Sequence, residues 1–228
     1  MGVTRTSEEA KKHNIQLMGV ELGEVYSELW QELWQVHKLW FEYLELFGPN
    51  DKRIQLLNDT TPRFFSMIQR LMQEEVILHI ARVTDNVTTI SKKNLTFKAL
   101  PELVPEELKV DVEQAVTEAV DRSDFCRDWR HRRLAHRDLA HSLDGSASPL
   151  NTATREGISA AINSMDKCLN VTLSHFEDTE TRFHVAPDGI GAHGLIRILW
   201  YGRKAGEETR QSVGKVAFEK IEWPPDDL

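Results

Sequence analysis

The sequence predicts an all-α fold, an up-and-down bundle of four to five long helices. Three observations predict it. Apolar residues return every three or four positions over long stretches, the period of a helix with one buried face. Glycine and proline are sparse, 12 and 8 in 228 residues, whereas a many-stranded sheet needs frequent turns. The few breaker clusters fall between the periodic stretches, where connections belong. Long amphipathic helices joined by short breaks bury their stripes against one another, and a bundle does this most economically.

Residues 15–47 read as one long helix on Leu22, Val25, Tyr26, Leu29, Leu33, Val36, Leu39, Trp40 and Leu44. Trp30, Trp34 and Trp40 add large apolar surfaces, and the glutamate-rich surroundings favour packing over nucleic-acid stacking, which needs exposed aromatics among basic residues. Gly48-Pro49-Asn50-Asp51 ends that helix. Thr61-Pro62 opens a second, with threonine as cap and proline in the first turn, running to about Thr84 on Phe64, Met67, Ile68, Leu71, Met72, Val76 and Ile80. Lys92 to Leu103 reads as a loop with a short helix. Pro105-Glu106-Glu107 opens a third long helix, its acids suited to the positive end of the helix dipole. Its period, through Val110, Val112, Ala115, Val116, Ala119, Val120 and Phe125, leads into an arginine-rich block. Gly145 to Pro149 is the next break. Thr154 to about Glu177 forms a fourth helix on Ile158, Ala161, Ile162, Met165, Leu169, Val171, Leu173 and Phe176. Gly189 to Gly206 fits either a helix on Leu195, Ile196 and Leu199 or a strand through Ile196 to Tyr201. The tail from Trp223 to Asp227 is peripheral. The organisation expected is a bundle over residues 1–180, followed by a C-terminal helix or strand with its tail over 181–228.

The totals exclude several classes of function. Hydrophobic content of 40% and charged content of 28% fit a soluble globular protein. Cys126 and Cys168 are the only cysteines; without CxxC spacing they argue against a zinc site or a disulfide framework and fit a reducing cytosol. No apolar run approaches the ~20 residues of a membrane span, and the polar N-terminus lacks a signal-peptide core, so a cytoplasmic protein without membrane contact is expected. His37, His79, His175, His184 and His193 lack paired metal spacing, and Gly189-Ile190-Gly191 lacks the third glycine of a dinucleotide fingerprint. Ser142 and Cys126 have no recognisable base to activate them. No metal and no cofactor is expected. Asp85 follows Arg82 by three residues and is expected to form a local ion pair with it.

The chemistry concentrates in one place. Five of the eleven residues from Arg127 to Arg137 are arginine and only Asp128 is acidic, in a chain of net charge −8. Such a patch on an acidic protein points to one place that holds a phosphate, a nucleotide or an RNA backbone. His136 adds a group able to move protons near neutral pH. On an ideal helix Arg130 and His136 stand about 240° apart and roughly 9 Å along the axis. Bringing them together needs the arginine's reach, a local irregularity, or a second copy of the motif from a partner subunit. On the residues alone, a second reading stands beside this one: a solvated cationic helix end whose arginines pair with Asp121, Asp124, Asp128 and Asp138.

Arg130-His131-Arg132-Arg133-Leu134-Ala135-His136-Arg137-Asp138 resembles the signature of the HEPN superfamily, an arginine followed four to six residues later by histidine on a late bundle helix. More narrowly it is similar to the abortive-infection AbiU-like branch. Leu78-His79-Ile80-Ala81-Arg82-Val83-Thr84-Asp85 and Asn94-Leu95-Thr96-Phe97 resemble that branch's second-helix ending and following loop. The likeness covers roughly residues 15–180. It departs at His131, where the branch usually has asparagine, making hydrogen bonding there pH-dependent.

The resemblance implies a metal-independent endoribonuclease, a toxin or phage-defence effector, acting as a homodimer with two motifs lining one cleft and with an antitoxin as a further partner. In that scheme His136 is the general acid or base and Arg130 stabilises the phosphorane charge. Arg132, Arg133 and Arg137 contact the RNA backbone, with His131 and Asp138 beside them. Two alternatives remain open at this stage: a non-catalytic HEPN module binding RNA, nucleotides or a protein partner, and a helical adaptor using its acidic, tryptophan-rich helix as an interface.

Overall fold

The computed structural model describes residues 5–89, 92–134, 152–183 and 190–213. The break at Gly145–Pro149, His184 and the tail from Trp223 lie outside them, as do Ser142, His136, Arg137 and Asp138. The described residues are helical apart from connections and one two-residue ribbon, as the all-α prediction requires. In order they form α1 (Ser7–Met18), α2 (Val20–Phe47), α3 (Asp51–Thr60), α4 (Pro62–Val83), β1 (Thr88–Thr89) paired antiparallel with β2 (Lys92–Lys93), and a 3-10 helix (Phe97–Glu102). Then come α5 (Glu106–Arg122), α6 (Asp124–Trp129), a π turn (Arg130–Leu134), α7 (Arg155–Ser174) and α8 (Ala192–Val213). They divide into two compact units, residues 1–40 with 71–185 and residues 41–70 with 186–228.

In the first unit the chain departs at once from the single helix expected over 15–47. A capping box starts α1: Thr6 Oγ1 accepts from the Glu9 N–H, and the Glu9 carboxylate accepts the Thr6 N–H at 2.8 Å. Gly19 then breaks the helix at φ 83°, its N–H donating to the Ile15 carbonyl and its own carbonyl accepting from Gly23 as α2 begins. Apolar period continues across this point, so the sequence pattern alone does not reveal the turn.

Leu22, Tyr26, Leu29, Leu33, Val36 and Trp40 form the buried stripe of α2. Val76, Ile77, Ile80 and Ala81 of α4 and Phe97 and Leu100 of the 3-10 helix are buried as well, and α5 packs along α7 and against the 3-10 helix. Each such aliphatic or aromatic side chain contributes roughly 1.5–3 kcal/mol by leaving water. Trp40 donates to Ser159 Oγ at 3.0 Å, while Trp30 stacks on Trp34 with centroids 6.1 Å apart, so the tryptophans pack as expected.

Thr154 caps α7 through a hydrogen bond from the Gly157 N–H, and α4 starts at the predicted proline. Expected core positions that fail are Phe64, Met67 and Leu71 on α4, 44–50% exposed, and Val110 on α5, 71% exposed. The third helix stops earlier than predicted: buried Ser123 donates its hydroxyl to the Ala119 carbonyl at 2.8 Å, and α6 starts afresh at Asp124.

The second unit contains α3, which the sequence reading left out; Asn50 caps it by accepting the Arg53 N–H. Tyr43, Leu46, Phe47, Leu56, Leu57 and Phe65 are buried there with Ala192. The open choice over 189–206 resolves to the helix, α8. Its start is anchored by Glu42, whose carboxylate accepts the Ala192 N–H at 2.6 Å. A methyl group at Gly191 would run into that same carboxylate, so a larger residue there would push the Glu42 side chain off its place at the start of α8. Arg203 of α8 binds Asp59 of α3 and, at 3.0 Å, Glu207.

Candidate functional site

The site grows from the junction after α5. Arg127 ties α6 down: it donates to the Val120 carbonyl at 2.9 Å and to Asp124 at 3.1 Å, and sits 3.4 Å from the hydroxyls of Thr84 and Ser123. One turn later the helix widens into the π turn that begins at Arg130. A π turn closes its hydrogen bonds over five residues instead of four, and such turns gather at functional sites. Ideal α-helical phase therefore does not apply from Arg130 to Leu134.

Arg130 donates from one terminal nitrogen to Asp85 Oδ2 at 2.6 Å and from the other to His131 Nε2 at 2.9 Å. Guanidinium only donates, so Nε2 is the acceptor in this bond. Two of the five N–H donors are spent in these bonds. Among the described residues the others have no hydrogen-bond partner. The Arg130 and Asp85 side chains keep 20% and 22% of their surface exposed, which leaves the pair reachable yet partly sheltered.

Asp85 is itself held. Its other carboxylate oxygen accepts the Asn86 N–H at 2.9 Å, and its carbonyl accepts the hydroxyl of buried Thr96 at 2.8 Å. Asn94 then closes the loop, donating to the Asn86 carbonyl at 2.7 Å. Burial alone raises the Asp85 carboxyl, but the hydrogen bonds from Arg130 and Asn86, with the charge of Arg130, outweigh it and hold the group below the ordinary carboxylate range. The two sequence patches thus meet in space: the end of α4 and the loop after it clasp the acid that clasps Arg130.

This corrects the sequence reading of Asp85. Asp85 does not pair with Arg82; Arg82 turns to Glu32 at 2.7 Å, and Asp85 crosses 45 residues of chain to Arg130. The described part of the arginine block is paired, with Asp124 and Asp128 among the partners that the second reading of the sequence named. Arg127 pairs with Asp124, Arg132 with Asp128 at 3.3 Å, and Arg133 with Glu74 at 3.3 Å while lying 4.9 Å over the Trp129 ring. Glu74 arrives from α4 and Asp85 from the turn just after it, and both were invisible to local spacing. A signal for Asp85 existed, since it closes the Leu78–Asp85 patch. His131 lies against Arg130; His136, Arg137 and Asp138 are outside the described residues.

The remaining histidines are structural where described. His37 bonds Asp166 at 2.7 Å and stacks on Phe183, and His79 contacts Glu32 at 3.1 Å. Cys126 and Cys168 are buried free thiols. Among the described residues no helix is long and apolar enough to cross a membrane, and no group of three metal-ligating side chains forms.

A helical body that presents a clasped arginine at an irregular helix junction defines a HEPN-type domain. The chain matches the sequence model of the AbiU2 family over residues 19–189, a span that includes α2 through α7 and both patches, and it belongs to that HEPN family of abortive-infection domains. No curated protein and no solved structure matches the chain.

Proposed function

We propose that the protein is a metal-independent endoribonuclease whose site is built on Arg130 and His136. The observation that carries the reading is the state of Arg130, fixed by Asp85 and His131 yet with guanidinium donors to spare, in a chain of the HEPN family. The RNA 2′-hydroxyl attacks the adjacent phosphorus while His136 takes its proton. The bond to the 5′-oxygen breaks, that oxygen gains a proton, and a cyclic phosphate and a 5′-hydroxyl result. Arg130 binds the non-bridging oxygens as charge builds on them, which suits a planar fork of donors. His131, Arg132, Arg133, Arg137 and Asp138 are the RNA-facing positions of this reading, and a second copy of the chain supplies the facing motif. Such an enzyme serves as a defence effector or as a toxin restrained by an antitoxin.

The pairing of each described arginine in the block with a carboxylate favours a second reading, a HEPN module that binds RNA without cutting it. Incubating the protein with end-labelled RNA in EDTA separates the two. Cleavage that yields cyclic phosphate ends and falls ~10²–10⁴-fold in Arg130→Ala and His136→Ala, with unchanged far-UV circular dichroism, supports the enzyme. Full activity in either variant overturns the catalytic assignment, and binding without cleavage selects the second reading.

A further inference from the structure

The second unit carries a different arrangement of charge. On α8, Arg197, Trp200, Tyr201 and Lys204 occupy positions i, i+3, i+4 and i+7 and so share a face. Trp200 is 50% and Tyr201 60% exposed, an unusual degree for large aromatic side chains. The two rings meet edge to face at 4.9 Å, and the Lys204 ammonium stands 5.4 Å from the Trp200 ring centre. Beside them a cleft of about 440 Å³ opens between α3 and α8, lined by Lys52, Gln55, Leu56, Trp200, Arg203, Lys204 and Glu207. Arg203 is committed to Asp59 and Glu207, but Lys52, Arg197 and Lys204 enter no ion pair among the described residues. That is the reverse of the Arg130 block. In a chain of net charge −8, three uncommitted cations around an exposed tryptophan mark a place for an anion that also has a flat face.

We propose that this α3–α8 cleft is a single-stranded RNA-binding surface. Trp200 stacks an unpaired base, Tyr201 supports the ring, and Lys52, Arg197 and Lys204 take the flanking phosphates. Unpaired bases offer the π-faces that a duplex conceals, and sequence-tolerant stacking among cations is how single strands are held. The choice of RNA as the polyanion rests on the ribonuclease reading; the stacking and phosphate contacts do not.

The test uses a labelled single-stranded 2′-O-methyl RNA, which lacks the attacking hydroxyl and cannot be cut, with the full chain and fluorescence anisotropy as the readout. Trp200→Ala and the pair Lys52→Glu with Lys204→Glu each weaken binding tenfold or more, and the charge-reversed pair also flattens the salt dependence. Trp200→Phe keeps a stacking face and binds within a few-fold of wild type. A duplex of the same sequence competes at least tenfold less well. Because Trp200 is half exposed, thermal melting of its variants stays at the wild-type value. Wild-type affinity in both Trp200→Ala and the charge-reversed pair, or no affinity of the wild type itself, overturns the proposal, as does equal competition by the duplex. If natural RNA is cut while these variants bind normally, this surface falls and the catalytic reading stands. If binding responds to the variants while natural RNA stays intact, the surface stands and the catalytic reading falls.

Discussion

At Arg130 the fork is aimed by a carboxylate from the turn after α4, and the effect of that aim is measurable on Asp85. Asp85→Asn keeps the shape but removes the charge that holds the guanidinium at 2.6 Å. With Arg130 free to turn, RNA cleavage falls ~10–10²-fold in kcat with KM little changed, because positioning and not encounter is lost. The same variant has a pH signature. The Asp85 carboxyl lies below its ordinary value in the fold, so the stability it contributes is complete above the unfolded-chain value of about 3.9 and disappears as pH falls through the lower folded value. The gap in Tm between wild type and Asp85→Asn therefore closes on acidification from pH 7 to 3. A gap that stays constant over that range refutes the bridge. Arg130 was legible because arginine and histidine at that spacing carry a recognisable chemistry. Asp85 was misassigned because an acid three residues after Arg82 looks like a local partner, and nothing in local spacing announces that Glu32 has already taken Arg82.

Among the helices, the boundaries with chemical punctuation were readable and those without it were not. Pro62, Thr154 and the Pro105-Glu106-Glu107 start fall at or beside helix ends, as does Gly48-Pro49. The break between α1 and α2 was missed because apolar spacing runs straight through it, although a glycine and, upstream, the Thr6–Glu9 capping pair were present. Gly19 gives that break a test. Its φ of 83° lies in the left-handed region and no atom crowds the place of an added methyl group, so Gly19→Ala strains only the backbone. The expected loss is about 1–2 kcal/mol in urea unfolding, with an unchanged m-value. A neutral substitution shows that the turn relaxes into a continuous helix. Phe64, Met67, Leu71 and Val110 teach the complementary lesson: period tells which residues share a face, not whether another element covers it.

Over the whole molecule, the sequence conveyed the total charge and the local partners Asp124 and Asp128, but not the pairs that cross the chain. The cationic block is matched by carboxylates from α4, the turn after it and its own helix, while Lys52, Arg197 and Lys204 on α3 and α8 enter no ion pair among the described residues. Only folding distributes partners in this way, so a count along the chain pointed to the first region and passed over the second. The two thiols report on the intactness of the first unit. Burial pushes Cys126 far up and Cys168 to about 12, with the nearby Glu118 charge adding to the latter. At pH 8 both are therefore protonated and shielded, and Ellman's reagent leaves the native protein unmodified while titrating two thiols in denaturant. Rapid native labelling of either cysteine contradicts this core.

The hold on Asp85 also governs what can be transplanted. An engineer who copies Arg130 to Leu134 onto a foreign helix takes the fork without the hand that steadies it. A working graft has to bring the end of α4 with Asp85 and Asn86, together with Asn94 and Thr96 from the loop behind them. The transferable unit is thus a clasp assembled from three stretches of chain, and a short linear motif is only its visible edge.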